Sequence, residues 1–517
     1  MSYLPKIIMD PTQPEKVADP FALPASRRKA LRTLAALAGA GVVSARPIAT
    51  NILGLNFGTT PALAKDVQGV SVAGETKLTG ELVFPNNPAY QSARLGFARQ
   101  FSEFPIVIAF CCDVQDVVND LSWCRKHQIP FRARSGGRHS VEGWSNLNGG
   151  VVIDTSHMKQ LHINARAGVA TVQAGATQGE ILDALGQAGY TIPGGDQPSV
   201  GIAGLTLGGG IGYLSRTLGP TCDSLIGVEM VIAAGKSGAQ VIRADERNNA
   251  DLLWASRGGG GGNFGIATSF TFKIYPMPNV AVYVAKWNWQ YLTEVFRAWQ
   301  ELAPSAVDGL ASVYFAKAKA NGEIESYGTY LGSENQLRQL LQPLLKIGRP
   351  DVTFKTMSYL DAFHYLANLH PSMPGKIKFS SAWAYSPFPP EGIQTVRNFL
   401  ANAPKDANTV CLSWGGAVGR VPTGATAFFH RKAQFFVDWA SSWQTNSGGE
   451  RSVAWVEQYR KALQPYVIGS YVNIPDRFIG NWLSAYYGSN VARLREVKSK
   501  YDPYNVFNFE QSIPPAR

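Results

Sequence analysis

The spacing of apolar positions changes period several times along the chain. From Phe104 it reads as a short strand, Ile106 to Phe110, then as a helix in which Val117, Leu121 and Cys124 share one face, then as a second strand from Pro130 to Arg134. Val151 to Asp154 and Val169 to Gly175 read as further strands. Thr177 with Glu180 three residues on is a capping-box signature, and the helix it opens ends near Gly189. Between roughly Ala281 and Ser470, strands such as Val313 to Ala316 and Val410 to Ser413 alternate with amphipathic helices, including one near Glu334 to Leu345. The pattern predicts an α/β beginning followed by a long mixed second half.

With 517 residues, 45% of them apolar and 16% charged, the chain buries a large core and is long enough for two domains. Many of its 52 glycines cluster, at Gly136 and Gly137, around Gly208 and at Gly258 to Gly262, where backbone can approach a ligand closely. The formal net charge of +11 comes from dispersed residues with no basic stripe and interleaved aromatics, so a solvated surface is expected and a nucleic-acid partner is not. Five cysteines lack zinc-like spacing and form no full disulfide framework, although one disulfide stays open; Cys111 and Cys112 are expected in a core. The seven histidines include no HExxH, and His157 with His162 lacks the i, i+4 spacing of a helical pair, so no metal is expected. No Gly-x-Ser-x-Gly elbow is present either.

Near the start, Ser26-Arg27-Arg28-Lys29 precedes a short apolar run, Leu34 to Ala45, with small-residue sites at Val43-Ser44-Ala45 and Ala62-Leu63-Ala64. This order resembles a bacterial twin-arginine signal. The run is shorter than the roughly 20 residues of a membrane span. The expectation is transport by the twin-arginine export machinery to the periplasm or the exterior, with no stable membrane anchor.

Arg134 to Ser145, RSGGRHSVEGWS, supplies paired glycines whose turn leaves N–H groups free to face an anion such as pyrophosphate. No helix directly follows Gly136-Gly137, and Gly208 to Gly212 lacks the dinucleotide spacing, so a nicotinamide-type Rossmann site is disfavoured.

Taken with VVIDTSHM, VQAGATQGEIL, GGDQPSVGIAGLTLGGGIGYLSRTLG, DLLWASRGGGGGNFG and YDPYNVFNFEQSIPP, this loop resembles the berberine-bridge-enzyme branch of the vanillyl-alcohol-oxidase flavoproteins. The motifs run in family order from about Phe104 to the C-terminus. The resemblance implies an α+β, two-domain PCMH-type FAD-binding fold with an antiparallel-sheet substrate domain. It implies a signal and linker at 1–64, the first part of the FAD-binding domain at 65–280, the substrate domain at 281–470, and a C-terminal segment, 471–517, completing the first domain.

The resemblance further implies that Arg134, Ser135, Gly136, Gly137, Arg138, His139, Ser140 and Gly143 wrap the FAD pyrophosphate, with His139 bonded to the flavin 8α-methyl carbon. Many relatives have Gly-Gly-His where this chain interposes Arg138; Ser140, Glu142 and Gly143 restore the register. Gln197 stands where many relatives carry a second, cysteinyl attachment, so a single covalent link is expected. Pro198, Val200, Gly201, Gly204, Gly208, Gly209 and Gly210 match the segment over the ring and ribityl chain, and Val200 falls where relatives control oxygen access. Asp223, Gly265, Asn473 and Asn505 continue the cofactor shell. Tyr471 is the candidate base, although its ordinary pKa of about 10 must fall for that role; a tyrosine that only hydrogen-bonds the cofactor is an equal alternative. Ile474 replaces a second tyrosine of some relatives. Trp289, Tyr314, Trp383 and Trp414 suit either stacking on a substrate ring or simple core packing.

The implied activity is hydride transfer from a small alcohol, hemiacetal, sugar or secondary metabolite to FAD, with molecular oxygen as acceptor and hydrogen peroxide as product. The alternatives are a flavin-dependent dehydrogenase or oxidative cyclase, and a flavin-bearing binding protein without turnover.

Overall fold

The computed structural model describes residues 77–516 and, by itself, the antiparallel pair Thr50–Ile52 and Leu55–Phe57. The proposed export segment and its small-residue sites lie outside the described residues.

The first layer is a four-stranded sheet in the order Glu81–Val83, Val107–Phe110, Val151–Asp154, Phe131–Arg134, parallel except at the first strand. Val151–Asp154 is buried along its whole length, as expected of a central parallel strand covered on both faces. The helix Val114–His127 packs beside it. Asp113 caps that helix by accepting from the Asp116 N–H, and Val117, Leu121 and Cys124 are completely buried. The second layer is an antiparallel sheet in the order Gly238–Asp245, Leu225–Ala234, Ile266–Lys273, Val169–Gln173, Leu161–Asn164. The predicted capping box of Thr177 and Glu180 is formed, and its helix spans Gln178–Gln187.

The third layer is a seven-stranded antiparallel sheet, ordered Asp351–Ser358, Asn279–Asn288, Glu323–Tyr330, Leu310–Lys317, Ala407–Ser413, Phe435–Trp443, Lys376–Ala384. Strand periodicity of two divides its side chains between two cores. On Asn279–Asn288, Ala281, Tyr283, Ala285 and Trp287 join the core under the helices Leu292–Leu302, Pro390–Ala401 and Asn446–Leu463, whereas Val280, Val282 and Val284 join the core on the opposite face. Both faces are covered, which is why the strand carries no charged residue from Val280 to Ala285. The mixed helix and sheet architecture with antiparallel sheets is the α+β fold expected.

Several local expectations need correction. The helix at Glu334–Leu340 stops and a separate turn, Gln342–Leu345, follows, because Pro343 has no N–H to continue the ladder. Cys111 is buried but its neighbour Cys112 is exposed, and all five cysteines are free thiols. Tyr314, Trp383 and Trp414 are fully buried and Trp289 nearly so; all four are core residues and none lines the cavity described below. Among the described residues no helix is long and apolar enough to cross a membrane.

The C-terminal residues Tyr486, Tyr487, Leu494, Val497, Tyr501 and Ile513 share a core with Val172, Leu225 and Phe270 of the second sheet. Lys498 fixes this junction. Its buried ammonium donates to Asn263 O at 2.7 Å, Phe507 O at 2.6 Å and Asp502 Oδ2 at 2.7 Å. Lys498→Met would leave the Asp502 carboxylate buried without its cation, at a cost of about 3–5 kcal/mol. The expected outcome is a lower denaturation midpoint in chemical unfolding, and an unchanged midpoint would remove this clamp from the account.

Candidate functional site

A cavity of about 450 Å³ opens where the three layers and the C-terminal segment meet, a size typical of small-molecule and cofactor sites. Its walls come from Phe131 to Ser140, from Asp196 to Tyr213, from Gly260 to Ala267, from the seven-stranded sheet, and from 471–475 and 506–511.

The first wall is built from bare backbone. A Cβ placed on Gly136 would lie 2.1 Å from Gly175 O, and one on Gly137 2.3 Å from Ser199 O. The loop therefore packs main chain to main chain, and the residues after it take up the slack. Arg138, the interposed residue, sits at φ 53°, a left-handed conformation that is costly for a side chain with a Cβ. His139 is delivered to the cavity with its ring stacked on Phe97, centroids 4.3 Å apart, and Nε2 3.0 Å from Ser199 Oγ. Burial pushes its pKa down to about 4, so the imidazole is neutral at neutral pH.

Arg134 gives Nε to Asp154 at 2.6 Å and Nη2 to Ala93 O at 2.8 Å, while its buried Nη1 has no partner among the described residues. Arg132 and Arg138 line the same cavity. Opposite them, added Cβ atoms on Gly204 would meet nothing and on Gly261 would make only ordinary contacts at 3.8 Å or more. An unpaired guanidinium nitrogen and two further arginines in a cavity with open glycine surface suit an anionic, flat group, and the residues present therefore fit a dinucleotide such as FAD.

Of the sequence-predicted residues, Arg134, Ser135, Gly136, Arg138, His139, Ser140, Val200, Gly201, Gly204, Gly265, Tyr471 and Asn473 line the cavity. Gly137, Gly143, Pro198, Gly208, Gly209, Gly210 and Asn505 do not. Gly143 lies against the Phe101 ring, Gly208 against the Asn473 amide and Gly209 against Phe428. Gly210 acts through its N–H, which donates to the Tyr471 oxygen at 2.9 Å. Asp223 is also off the wall, engaged by both Arg431 Nη atoms at 2.6 and 2.9 Å.

Tyr471 is almost fully buried, and its oxygen accepts from Gly210 and, at 3.0 Å, from Asn473 Nδ2. Burial outweighs these two donors and pushes the phenol pKa up.

Sequence reasoning missed the acidic end of the cavity, made by Asp196 and Asp438. Phe435, Val437 and Trp439 pack into the helix-side core and Phe436 into the other, so alternation places Asp438 on the cavity face. A lone Asp at that parity in FFVDWASSW was the available signal. Burial, with the charge of Asp196 adding to it, pushes the Asp438 carboxyl up to about 8; burial also raises Asp196. Asp196 keeps open surface, but that surface faces a space walled by protein. Tyr213 and Tyr327 were missed as wall residues as well, whereas Gly260 to Gly262, within the glycine cluster singled out in the sequence, line the wall.

The loop carrying His139 is tied to the substrate-side sheet by buried ion pairs. Lys378 Nζ lies 2.5 Å from Glu142 Oε1 and 2.7 Å from Asp476 Oδ1, and Arg477 Nε lies 2.6 Å from Glu142 Oε2.

Residues 105–237 match the family model described as FAD binding domain, and residues 470–514 that described as Berberine and berberine like. The FAD-linked oxidoreductase YvdP of Bacillus subtilis, itself uncharacterized, is 43% identical over 452 residues, spanning 86% of this chain and 100% of that protein. The chain belongs to the berberine-bridge-enzyme-like FAD-linked oxidoreductases. Among solved structures of this family, Physcomitrella patens BBE-like 1 superimposes with a TM-score of 0.79 at 30% identity, covering 85% of this chain and 98% of that one. The grass pollen allergen Phl p 4, wild type, gives 0.76 at 25% identity over 84% of this chain and 97% of that one.

Membership of this FAD-linked family gives the glycine contacts a direct test. Gly136→Ala, which drives a Cβ into Gly175 O, is expected to lower both flavin content and thermal midpoint. Gly204→Ala, whose Cβ meets no protein atom, is expected to keep the midpoint of flavin-free protein and lose flavin affinity alone. Absorbance at 450 nm per protein and thermal unfolding separate the two; equal behaviour would mean Gly204 does not face the cofactor.

Proposed function

We propose that this enzyme oxidises an alcohol, hemiacetal or comparable C–H/X–H pair of a small organic substrate, with FAD held covalently through His139 and molecular oxygen as final acceptor, giving hydrogen peroxide. The observation that carries this reading is one cavity lined by Arg132, Arg134 and Arg138 with Gly201, Gly204 and Gly261, and also by His139, Tyr471 and Asp438.

When bound, FAD supplies the hydride acceptor. Arg134, Arg132 and Arg138 hold its phosphates, and Gly201, Gly204 and Gly261 leave room for its flat parts. His139 would carry the covalent attachment at the 8α carbon, its neutral ring nitrogen having a free electron pair for that bond. At the other end, Asp438 as carboxylate takes the substrate O–H proton while the C–H electron pair leaves as hydride. Tyr471, whose oxygen already accepts twice, keeps its own proton to donate to the oxygen on which negative charge builds. A second reading makes Tyr471 the base, favoured by the donors from Gly210 and Asn473 that would steady a phenolate.

Val200 on the cavity wall supports oxygen as acceptor. Wild-type Phl p 4 is a glucose dehydrogenase, and an isoleucine-to-valine variant of it is a glucose oxidase. Export by the twin-arginine route belongs to the same reading, supported by Arg27-Arg28, the apolar run and the small residues after it.

Two experiments test the proposal. Acid-precipitated wild type is expected to keep its yellow colour in the pellet, and His139→Ala to release it to the supernatant; colour released by wild type would remove the covalent link. For catalysis, Asp438 must lose its proton, so kcat/KM should rise with pH through about 8. Asp438→Asn should flatten that limb and lower kcat by about 10²–10⁴-fold. A limb that survives in Asp438→Asn but vanishes in Tyr471→Phe would assign the base to Tyr471.

A further inference from the structure

The acidic end of the cavity carries four polar side chains with no partner elsewhere among the described residues. Asp438, Tyr213 and Tyr327 line the cavity, and no hydrogen bond from their side-chain oxygens is made among the described residues. Asp196 receives only its own backbone N–H. Tyr213 and Tyr327 are almost completely buried. Buried polar groups are ordinarily paired, so three unpaired side chains and a carboxylate held only by its own backbone N–H, all around one space, indicate a ligand that pairs them.

The sign of that ligand follows from the charges. The cavity is lined by three arginines, all from the segment Arg132 to Arg138, and by two carboxylic acids, Asp196 and Asp438. The cavity-side residues around Asp438 on the sheet include Val313, Val410, Leu412, Phe436 and Phe379, and Tyr471 and the neutral His139 line the same cavity. None of these is a cation. The elements packed against Asp438 bring Cys411 and Tyr327, both pushed upward chiefly by burial with the charge of Asp438 adding to it, and Glu325, which acts in the same direction on Tyr327. His370 is committed to Glu325 at 2.9 Å. Lys286 and Lys317 also lie 3.7 Å from Glu325, so the uncompensated charge at this end is that of Asp196 and Asp438, and the phenol rings of Tyr213 and Tyr327 add faces suited to a cation.

We propose that this end of the cavity is a charge-selective subsite, in which Asp196 receives a protonated amine on the substrate while Asp438 faces the reacting hydroxyl. The substrate class is an amino-bearing alcohol, such as an amino sugar or an aryl amino alcohol, and carboxylate-bearing alcohols are excluded. The inference rests on the reading of Asp438 as the proton acceptor, and narrows it. Asp196 is a specificity residue and takes no part in the bond changes. Entry of an ammonium group also drives off the proton that burial and mutual repulsion keep on the acidic pair, so binding of the correct substrate leaves Asp438 as the carboxylate the reaction needs.

The test uses the holoenzyme and three ligands of one skeleton, benzylamine, benzyl alcohol and benzoate, titrated against the visible flavin spectrum. Benzylamine is expected to bind at least about tenfold tighter than benzyl alcohol and benzoate not to compete. The preference should grow between pH 6 and pH 8.5, collapse in Asp196→Asn and return in Asp196→Glu, with flavin content and thermal midpoint confirming that each variant is folded. Equal affinity for the three ligands, or a preference unchanged in Asp196→Asn, overturns the proposal. An amine preference that persists while Asp438→Asn keeps its acid limb would leave the subsite standing and remove Asp438 as base, so the two failures are distinguishable.

Discussion

The site depends first on a place where side chains are forbidden. Gly136, Gly137 and Gly201 bring the loop after Phe131–Arg134 against the chain at Gly175 and at Ser199 to Gly201, at distances that leave no volume for a Cβ. Because main chain packs on main chain, the parallel sheet, the second sheet and the segment before the helix Ile202–Leu207 meet at one seam. The arginines, His139 and Val200 all emerge from the edges of that seam. Their placement is a consequence of backbone contact, which tolerates far less variation than contact between flexible side chains.

The seam alone makes half a cavity. The seven-stranded sheet supplies the other half, and it does so with strands buried on both faces, so its cavity-side residues cannot shift without disturbing the helix-side core. Lys378 with Glu142, Asp476 and Arg477 then joins the two halves through charges that are costly to separate once buried. The result is a cavity with opposite polarity at its ends, arginine near the glycine-rich loop and carboxylic acid near the sheet. Each end has a charge character the other lacks, and this bears directly on which part of a bound pair of reactants can occupy which end.

Much of this was legible in the sequence where local rules decide. The strand and helix around Val117, the capping box of Thr177 and Glu180, and the glycine pair at Gly136 and Gly137 all express period, capping or steric exclusion over a few residues. The reading failed where the answer depends on distant partners. Gly208 and Gly209 are glycines because Asn473 and Phe428 press on them, so their lack of side chains says nothing about the cofactor. Asp223 looked like a cofactor ligand until Arg431, 208 residues away, claimed both its oxygens. Asp438 was readable from strand parity, but parity names a face without saying what that face looks onto. Cys112 was misread for the same reason, as its neighbour Cys111 takes the interior position and leaves it outside.

The tail of the chain has a consequence for biogenesis. Tyr471, Asn473, Tyr487, Phe507 and Gln511 belong to the cavity wall, and Lys498 locks them to Asn263 in the first half. A polypeptide still lacking these residues possesses the glycine-rich loop but not the enclosure. Enclosure of the cavity is thereby coupled to completion of synthesis: its wall is whole only once the last residues of the chain have folded back onto the first half.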